Sequence, residues 1–455
     1  MRNLLLRCLM VLSVSATIFA SAADSLTWQG NRVDADIKSL NLPALLEQIA
    51  TATGWQVYLE PSTTHNTSAK FRNLPPGEAL HLLLGDLSFA LVPQTNASPR
   101  LFVFRTAQGN ATRLIRPATS KTGNQHAKRI SNELIVRLKP GAKIDDLARS
   151  LGAKVIGRLD ALNTYRLEFT DEAAAQAARE ALLNNPDVAA VEYNSSISTP
   201  PPPQLFPGGA APALTLKPKD NTGPCQIIVG LIDTPVSLPG GAMNSFVMSP
   251  VSIAGASPSP GDGLTHGTAM IQTILQSVQA TTHGTSSMKI LPVNVYGANP
   301  TTTTFDVGQG IYQAVNAGAN IINLSLGGSG DSPFLHNLIS SASQQGVIFF
   351  GAAGNEPVTA PEYPAAYPEV LAVTASGPNG QLATYANRGS FVSLIAPGSS
   401  VVDFQGQSYL VSGTSTATAY VSGLAAGMAD SAHDCPGQII SSLRSQLGFQ
   451  PAAGQ

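Results

Sequence analysis

An α/β fold built on a parallel sheet is predicted for the C-terminal half of this 455-residue chain. Short apolar runs recur there and suit strands that are buried on both faces, and helical stretches lie between several of them. The runs are 227–232, 321–324, 347–350, 370–373 and 392–395. We expect this domain to cover residues 223–450.

Composition limits the classes of function. Hydrophobic residues make up 43% of the chain and charged residues 12%, which is half the usual share of about 25%. There is ample apolar side chain for a large core, so the chain is not a disordered one. The formal net charge of -2 shows no basic excess, which disfavours nucleic acid and anionic membranes as partners.

Residues 1–22 are predicted to be an export leader. Arg2 and Arg7 precede and bound an apolar stretch over 8–20, and Ala20-Ser21-Ala22 offers a small-residue cleavage site. The stretch is short for a membrane span, although an uncleaved anchor is the alternative. We expect removal, without lipidation of Cys8, and export to the periplasm or out of the cell.

A small α+β domain is predicted over residues 24–105. Helical patterns cover 42–50 and 76–84, and strand patterns cover 55–59 and 101–104. This order, opened by Asp34-Ala35-Asp36-Ile37, resembles the short N-terminal domain of secretins and TonB-dependent receptors. The resemblance implies a periplasmic docking role with an envelope protein as partner. A generic small α+β domain is the alternative.

Residues 106–131 are polar and predict a linker, after which 132–195 alternate strand and helix. Strands are predicted over 133–138, 165–169 and 188–193, and helices over 144–151 and 171–183. This unit, which ends in PDVAAVEYN, resembles the inhibitory propeptide of subtilisin-like proteases. The resemblance implies that the chain carries its own intramolecular inhibitor, and a plain ferredoxin-like module is the alternative. The Pro-rich residues 196–222 predict an exposed, extended tether.

Three polar residues lie where a parallel sheet usually places its functional side chains, at or near the carboxyl ends of the strands. Asp233 ends the strand QIIVGLID, His266 begins an apolar helix, and Ser415 begins a helix of small residues. Each has a structural interpretation when taken alone: a turn residue, a helix-start histidine and an N-cap. A serine at a helix N-terminus also suits acyl transfer, because free amides there face developing negative charge.

The order Asp, His, Ser within the motifs LIDT, THGT and SGTSTA resembles that of the subtilase family. The segments SLGG, AAGN and YPAAYPEV follow in the family's order. The resemblance implies a parallel sheet of the subtilisin type and a serine endopeptidase that acts on polypeptides. Asp233 would orient His266, His266 would take the proton of Ser415, and Asn355 would donate to the oxyanion. The residues expected to bind the substrate backbone are Ser325, Leu326, Gly327, Gly328, Ala353 and Gly354.

The chain departs from the family pattern at Pro235 and Ala419 and in the stretch 270–272. None of these changes removes a reacting group, but they leave a second hypothesis open: a catalytically weak or inactive binding protein with a subtilase fold. An α/β-hydrolase is disfavoured, because that fold expects Gly-x-Ser-x-Gly and the order Ser, Asp, His.

The sequence leaves alternatives for Glu362, for the two cysteines of the C-terminal domain and for metal binding. Glu362 stands just before Tyr-Pro, where the resemblance implies the floor of the primary specificity pocket and a preference for basic side chains; a solvent-exposed position is the alternative. Cys225 and Cys435 can pair in an oxidising compartment or remain separate thiols. No metal motif is present and no cofactor is expected; a structural calcium ion, common among subtilases, cannot be placed.

Overall fold

The computed structural model describes residues 25–29, 32–61, 63–92, 99–115, 128–207, 209–238, 240–255 and 263–450. The leader predicted over 1–22 lies outside these residues. The chain divides into two compact units, 1–123 and 124–455. Within the described ranges, no helix combines the length and the apolar character that crossing a membrane requires.

The N-terminal unit is an α+β domain with two sheets. Its strands run in the orders β1-β2-β4 and β5-β6-β3-β7. Its elements are β1 (Ser25–Gln29), β2 (Arg32–Asn41), α1 (Leu42–Thr53), β3 (Gln56–Leu59), β4 (Asn66–Leu74), α2 (Pro76–Leu84), β5 (Ser88–Val92), β6 (Arg100–Phe104) and β7 (Arg113–Ile115). Helix α1 begins where Asn41 Oδ1 accepts from the Ala44 amide (3.0 Å) and ends at Gly54, whose φ is 69°.

The predicted end of this domain at residue 105 stops short of the sheet. Strand β7 pairs antiparallel with β3, and Ile115 is buried in the core that α1 and α2 cover. The three residues of β7 are too few to show the alternation by which a strand is recognised in a sequence. The linker predicted over 106–131 therefore begins later.

The second domain is an antiparallel sheet with helices packed on it. Its strand order, β11-β8-β10-β9, is that of a ferredoxin-like βαββαβ unit. The elements are β8 (Lys128–Leu138), α3 (Ile144–Ser150), β9 (Lys154–Leu159), β10 (Thr164–Glu168), α4 (Glu172–Leu183) and β11 (Val188–Ser198). Strand β9 was not predicted from the sequence, and strand β11 runs past the predicted boundary at 195.

The C-terminal domain carries the parallel sheet that its apolar runs predict. All five predicted runs form strands, and the order is β15-β17-β14-β19-β20-β21-β22. The chain from 199 onward forms β12 (Gln204–Leu205), β13 (Lys217–Pro218), β14 (Ile228–Asp233), β15 (Val251–Ser252), α5 (His266–Thr281), β16 (Thr285–Ser286), β17 (Lys289–Asn294), β18 (Thr301–Thr303), α6 (Thr304–Asn316), β19 (Ile321–Leu324), α7 (Pro333–Gln344), β20 (Ile348–Ala352), β21 (Val370–Ser376), β22 (Val392–Pro397), β23 (Ser399–Phe404), β24 (Gln407–Ser412), α8 (Thr414–Ala432) and α9 (Ile440–Leu447). Strand β17 was not predicted, because Pro292 interrupts its pattern.

Helices cover both faces of this sheet. Helices α5 and α8 contribute Ile274 and Val421 to the core on one face, and α6 and α7 contribute Ile311 and Ile339 to the core on the other. Helices α5 and α8 are in close contact: a Cβ added to Gly423 would lie 2.3 Å from the carbonyl oxygen of Ile274. Glycine is therefore required where the two backbones meet.

The second domain docks on the C-terminal domain through strand pairing and helix caps. Strand β11 pairs antiparallel with β18, so the two domains share one sheet. Glu192 accepts from the Phe334 amide (3.0 Å) at the start of α7, and Asn194 Oδ1 accepts from the Thr304 hydroxyl (2.9 Å) at the start of α6. Arg166 adds an ion pair with Asp306 (3.1 Å). Acceptors at helix N-termini satisfy amides that have no partner within the helix.

The Pro-rich segment after β11 is held on the C-terminal domain at several points and is not a free tether. Strand β12 pairs antiparallel with β24, and β13 pairs parallel with β16. Leu216 is only 1% exposed, and Lys219 lies 3.1 Å from the carboxylate of Asp430. The segment therefore lies along the surface of the C-terminal domain.

Candidate active site

Asp233 lies at the carboxyl end of β14, in the middle of the parallel sheet. Its side chain is buried, at 1% exposure, and Oδ1 accepts from the Thr234 amide (2.7 Å). Loops open a crevice at the carboxyl ends of parallel strands, so this carboxylate is at the edge where ligands bind in such sheets.

His266 is the first residue of α5 and faces this carboxylate. Its Nδ1 lies 2.8 Å and 3.0 Å from the two carboxylate oxygens of Asp233. The hydrogen bond favours the tautomer with the proton on Nδ1, which leaves Nε2 as a proton acceptor. The helix start is fixed by Thr265, whose hydroxyl accepts from the Thr268 amide (3.2 Å).

Gly267 permits the close approach of α5 to the end of β14. Its amide donates to the Thr234 hydroxyl (2.8 Å), and an added Cβ would lie 2.6 Å from the Thr234 carbonyl oxygen. Pro235, the departure from the family pattern, lies in the extended stretch that follows. That stretch is held on α5 through the Ser237 amide, which donates to the Thr268 hydroxyl (2.8 Å). The proline therefore leaves the Asp233–His266 contact intact.

Ser415 lies at the same end of the domain as His266. Helices α5 and α8 run parallel, since contacts advance along both from Gly423 beside Ile274 to Gly427 beside Thr281. His266 and Ser415 stand at or next to the first residues of these two helices, and each is 8% exposed. The Ser415 hydroxyl donates to the Ser325 carbonyl (3.1 Å) rather than to His266.

Asn355 is fixed at the start of α8. Its Oδ1 accepts from the amide (2.8 Å) and the hydroxyl (3.1 Å) of Thr414. Because the oxygen is engaged, the exposed side chain presents its NH₂ group as a donor beside the helix N-terminus. Gly354 donates its amide to the Thr414 hydroxyl (3.1 Å), and Ala353, which directly follows β20, is buried. Thr414 therefore positions Asn355, a role the sequence analysis missed because its motif was assigned to the neighbouring serine.

The segment Ser325–Gly328 follows β19 and contacts the first turn of α8. Ser325 donates its hydroxyl to the Ser415 carbonyl (3.1 Å), and Leu326 is 4% exposed. Gly328 exchanges two backbone hydrogen bonds with Tyr363 (2.8 Å and 2.7 Å). This pairing joins the segment to the chain that carries Glu362.

Glu362 lies against Gly327 and is half-buried. A Cβ added to Gly327 would lie 3.1 Å from Glu362 Cγ. Burial, and then the nearby Glu356 carboxylate, raise the pKa of Glu362 from its usual 4.5 to about 7. The Glu362 side chain thus lies beside the segment Ser325–Gly328.

The structure joins Cys225 and Cys435 in a disulfide, with the two Cα atoms 5.4 Å apart. Among the described residues, no group of three or more His, Cys, Asp or Glu side chains is placed to hold a metal ion.

Comparison with known proteins places this arrangement in a family. Residues 225–436 match the model described as the subtilase family. A thermostable alkaline protease of Halalkalibacterium halodurans is 32% identical over 257 residues, which cover 54% of this chain and 68% of that protein. The chain belongs to the subtilase family.

Other subtilase relatives and a prodomain match agree with this assignment. M-protease of Shouchella clausii is 31% identical over 54% of this chain, which spans 65% of that relative's length. Residues 115–194 match the model described as the fervidolysin N-terminal prodomain, so we call residues 128–198 the prodomain. The crystal structure of fervidolysin from Fervidobacterium pennivorans, a keratinolytic enzyme related to subtilisin, has the same fold: the TM-score is 0.54 at 19% identity, over 70% of this chain and 57% of that one.

Proposed function

We propose that this subtilase is a serine endopeptidase that hydrolyses polypeptides through an acyl-enzyme on Ser415. The observation that carries the proposal is the buried Asp233–His266 hydrogen bond at the carboxyl end of the sheet, with Ser415 at the N-terminus of the parallel helix α8. His266 is suited to act as a general base, because the Asp233 carboxylate bonded to Nδ1 stabilises the imidazolium that forms when His266 takes a proton.

The mechanism requires one local change. The Ser415 hydroxyl, which donates to the Ser325 carbonyl at rest, rotates about its Cα–Cβ bond to donate to His266 Nε2. His266 takes the proton as Ser415 attacks the substrate carbonyl, and then gives it to the leaving amine. The Asn355 NH₂ group and the Ser415 amide stabilise the oxyanion. Loss of one such side-chain donor costs about 10²–10³ in kcat, a value known from subtilisin itself.

Substrate backbone is expected to add as a strand along Ser325–Gly328, with Ala353 and Gly354 on the opposite wall. The Glu362 carboxyl beside Gly327 supports a preference for Lys or Arg on the acyl side of the cut. Backbone recognition gives affinity for any extended peptide, and the side chain at this one subsite selects among them.

Export and maturation belong to the same proposal. The leader at 1–22 directs the chain out of the cytoplasm, to the periplasm or the medium, and the N-terminal unit docks on an envelope protein. The prodomain keeps the enzyme inhibited until self-maturation removes the N-terminal domains by a cut between about Asn194 and Gly223. The docking of β11 on β18 and the caps at α6 and α7 support the inhibitory role.

Replacement of the nucleophile tests the proposal. We expect Ser415→Ala to lower kcat on casein or a peptide substrate by about 10⁶ and to leave the chain full length after leader removal. Ser431→Ala is the matched control, since Ser431 lies near the other end of the same helix and should leave turnover unchanged. If wild type and Ser415→Ala are both full length and both inert toward casein, the chain is a binding or scaffold protein with a subtilase fold.

A further inference from the structure

Residues 199–203, here called the strap, connect the prodomain to β12. On the prodomain side, Ile197 pairs with Thr302 and Ser198 with Thr301, and the Thr199 amide donates to the Pro300 carbonyl (2.9 Å). On the other side, Gln204 pairs with Leu410 and Leu205 with Tyr409. The chain is therefore anchored in extended form on two different strands, β18 and β24.

The two anchors limit which peptide bond of the strap can lie near Ser415. Strand β24 ends at Ser412, Gly413 follows, and Ser415 lies in the first turn of α8. The observed pairing ends at Gln204; if the same antiparallel register continued back along the chain, Pro202 would lie opposite Ser412 and Pro201 opposite Gly413. In that register the bond from Pro200 to Pro201 would lie near the start of α8, which carries Ser415.

This bond is poorly suited to the reaction. His266 must protonate the leaving nitrogen, but the nitrogen of Pro201 is in a ring whose Cδ fills the space on that side. Pro200 has no N–H to donate to the adjacent wall of the crevice. The acceptor on that wall, the Ser325 carbonyl, is instead bonded to the Ser415 hydroxyl (3.1 Å). The bonds from Thr199 to Pro203 all have proline on their amine side, so a small slip of register does not offer a better one.

We propose that the strap is an uncleavable, substrate-like lock, and that a second molecule must cut the chain to release the enzyme. The inference rests on the proposed protease function and specifies its maturation step. Leu205 and Phe206, directly after the lock, are 53% and 40% exposed, and residues 210–213 are largely exposed. A second copy can hydrolyse a bond in this stretch, adding one water to give a new carboxylate and a new N-terminus.

Dilution separates the two routes, because a cut within one molecule proceeds at a rate independent of concentration. Full-length wild type, Pro200→Ala/Pro201→Ala and the matched control Pro202→Ala/Pro203→Ala are followed by mass spectrometry at two concentrations about tenfold apart. We expect the wild type and the control to produce new N-termini after Gln204, at a rate per molecule that falls about tenfold on dilution. Pro200→Ala/Pro201→Ala should cut itself between 200 and 201 at a rate that dilution leaves unchanged, and adding Ser415→Ala should abolish this cut.

A wild-type product that begins at Pro201, or a wild-type rate that dilution leaves unchanged, would overturn the lock. So would a Pro200→Ala/Pro201→Ala protein that remains uncut at this bond while its samples turn over a peptide substrate. Peptide turnover is therefore measured in every sample. Its absence from all forms, including wild type nicked by an added protease, overturns the protease function itself rather than only the lock.

Discussion

The carboxyl group of Glu362, beside the segment Ser325–Gly328, changes its charge near neutral pH. Burial raises the pKa of Glu362 to about 7, with a contribution from Glu356, and the side chain lies against Gly327. The group is mainly neutral below pH 7 and mainly charged above it. A cationic substrate side chain would gain a charge-assisted partner only in the charged form.

Glu362 therefore predicts a pH-dependent preference. The ratio of kcat/KM for a Lys substrate to that for a Leu substrate should rise as pH increases through about 7, because Glu362 ionises. Taking the ratio removes any effect of pH that is common to both substrates. In Glu362→Gln, we expect the ratio to fall by about 10–100-fold at pH 8 and to become flat with pH, as expected for loss of a charged hydrogen bond. An unchanged ratio in this variant would place Glu362 outside the specificity site.

At the scale of elements, helix starts organise the site and the prodomain interface alike. Helices α5 and α8 present His266 and Ser415 in their first turns, and α6 and α7 accept caps from the prodomain. Unpaired amides at a helix start attract acceptors, whether a developing oxyanion or an asparagine side chain. Sequence reveals such starts through local patterns, but it does not reveal which distant residue will supply the cap.

Removal of one cap should loosen the prodomain. Asn194 is fully buried and bonds both Thr304 and the Glu133 carboxylate (2.8 Å). We expect Asn194→Ala, in a Ser415→Ala background, to cost about 1 kcal/mol and to speed hydrogen exchange of the β11–β18 amides about fivefold. Asn184→Ala is the control, because the Asn184 side chain bonds only its own helix end, at the Glu180 carbonyl. Equal exchange in both variants would mean that the cap does not hold the interface.

At the scale of the whole molecule, one covalent link closes most of the C-terminal domain. Cys225 precedes β14 and Cys435 follows α8, so the disulfide spans 210 residues and encloses Asp233, His266 and Ser415. A cross-link over so long a loop restricts the unfolded chain strongly. Both cysteines lie after the strap, so the disulfide would remain with the peptidase domain after the proposed cut.

Loss of this link should destabilise the peptidase domain. We expect Cys225→Ser/Cys435→Ser, in a Ser415→Ala background, to lower the free energy of unfolding by about 2–5 kcal/mol in guanidinium chloride. Reductant should lower the stability of the Ser415→Ala parent by a similar amount and should leave the double-serine variant unchanged. A parent that reductant does not affect would contradict the prediction.

The sequence by itself determined the features that depend only on residues close together in the chain. Apolar runs predicted the strands β14, β19, β20, β21 and β22, and the motifs around Asp233, His266 and Ser415 predicted a strand end and two helix starts. These signals are short-range, because a buried strand needs only a run of apolar residues and a helix start needs only its first turn. The same locality explains the misses, since the short strand β7 and the proline-containing β17 have weak patterns.

Only the tertiary structure decided what depends on residues far apart in the chain. It placed Glu362 against Gly327, joined Cys225 to Cys435, and laid the Pro-rich segment along β24 instead of leaving it free. Each of these depends on the free energy of contacts that form only when separate elements pack, and no local pattern of residues encodes such a contact.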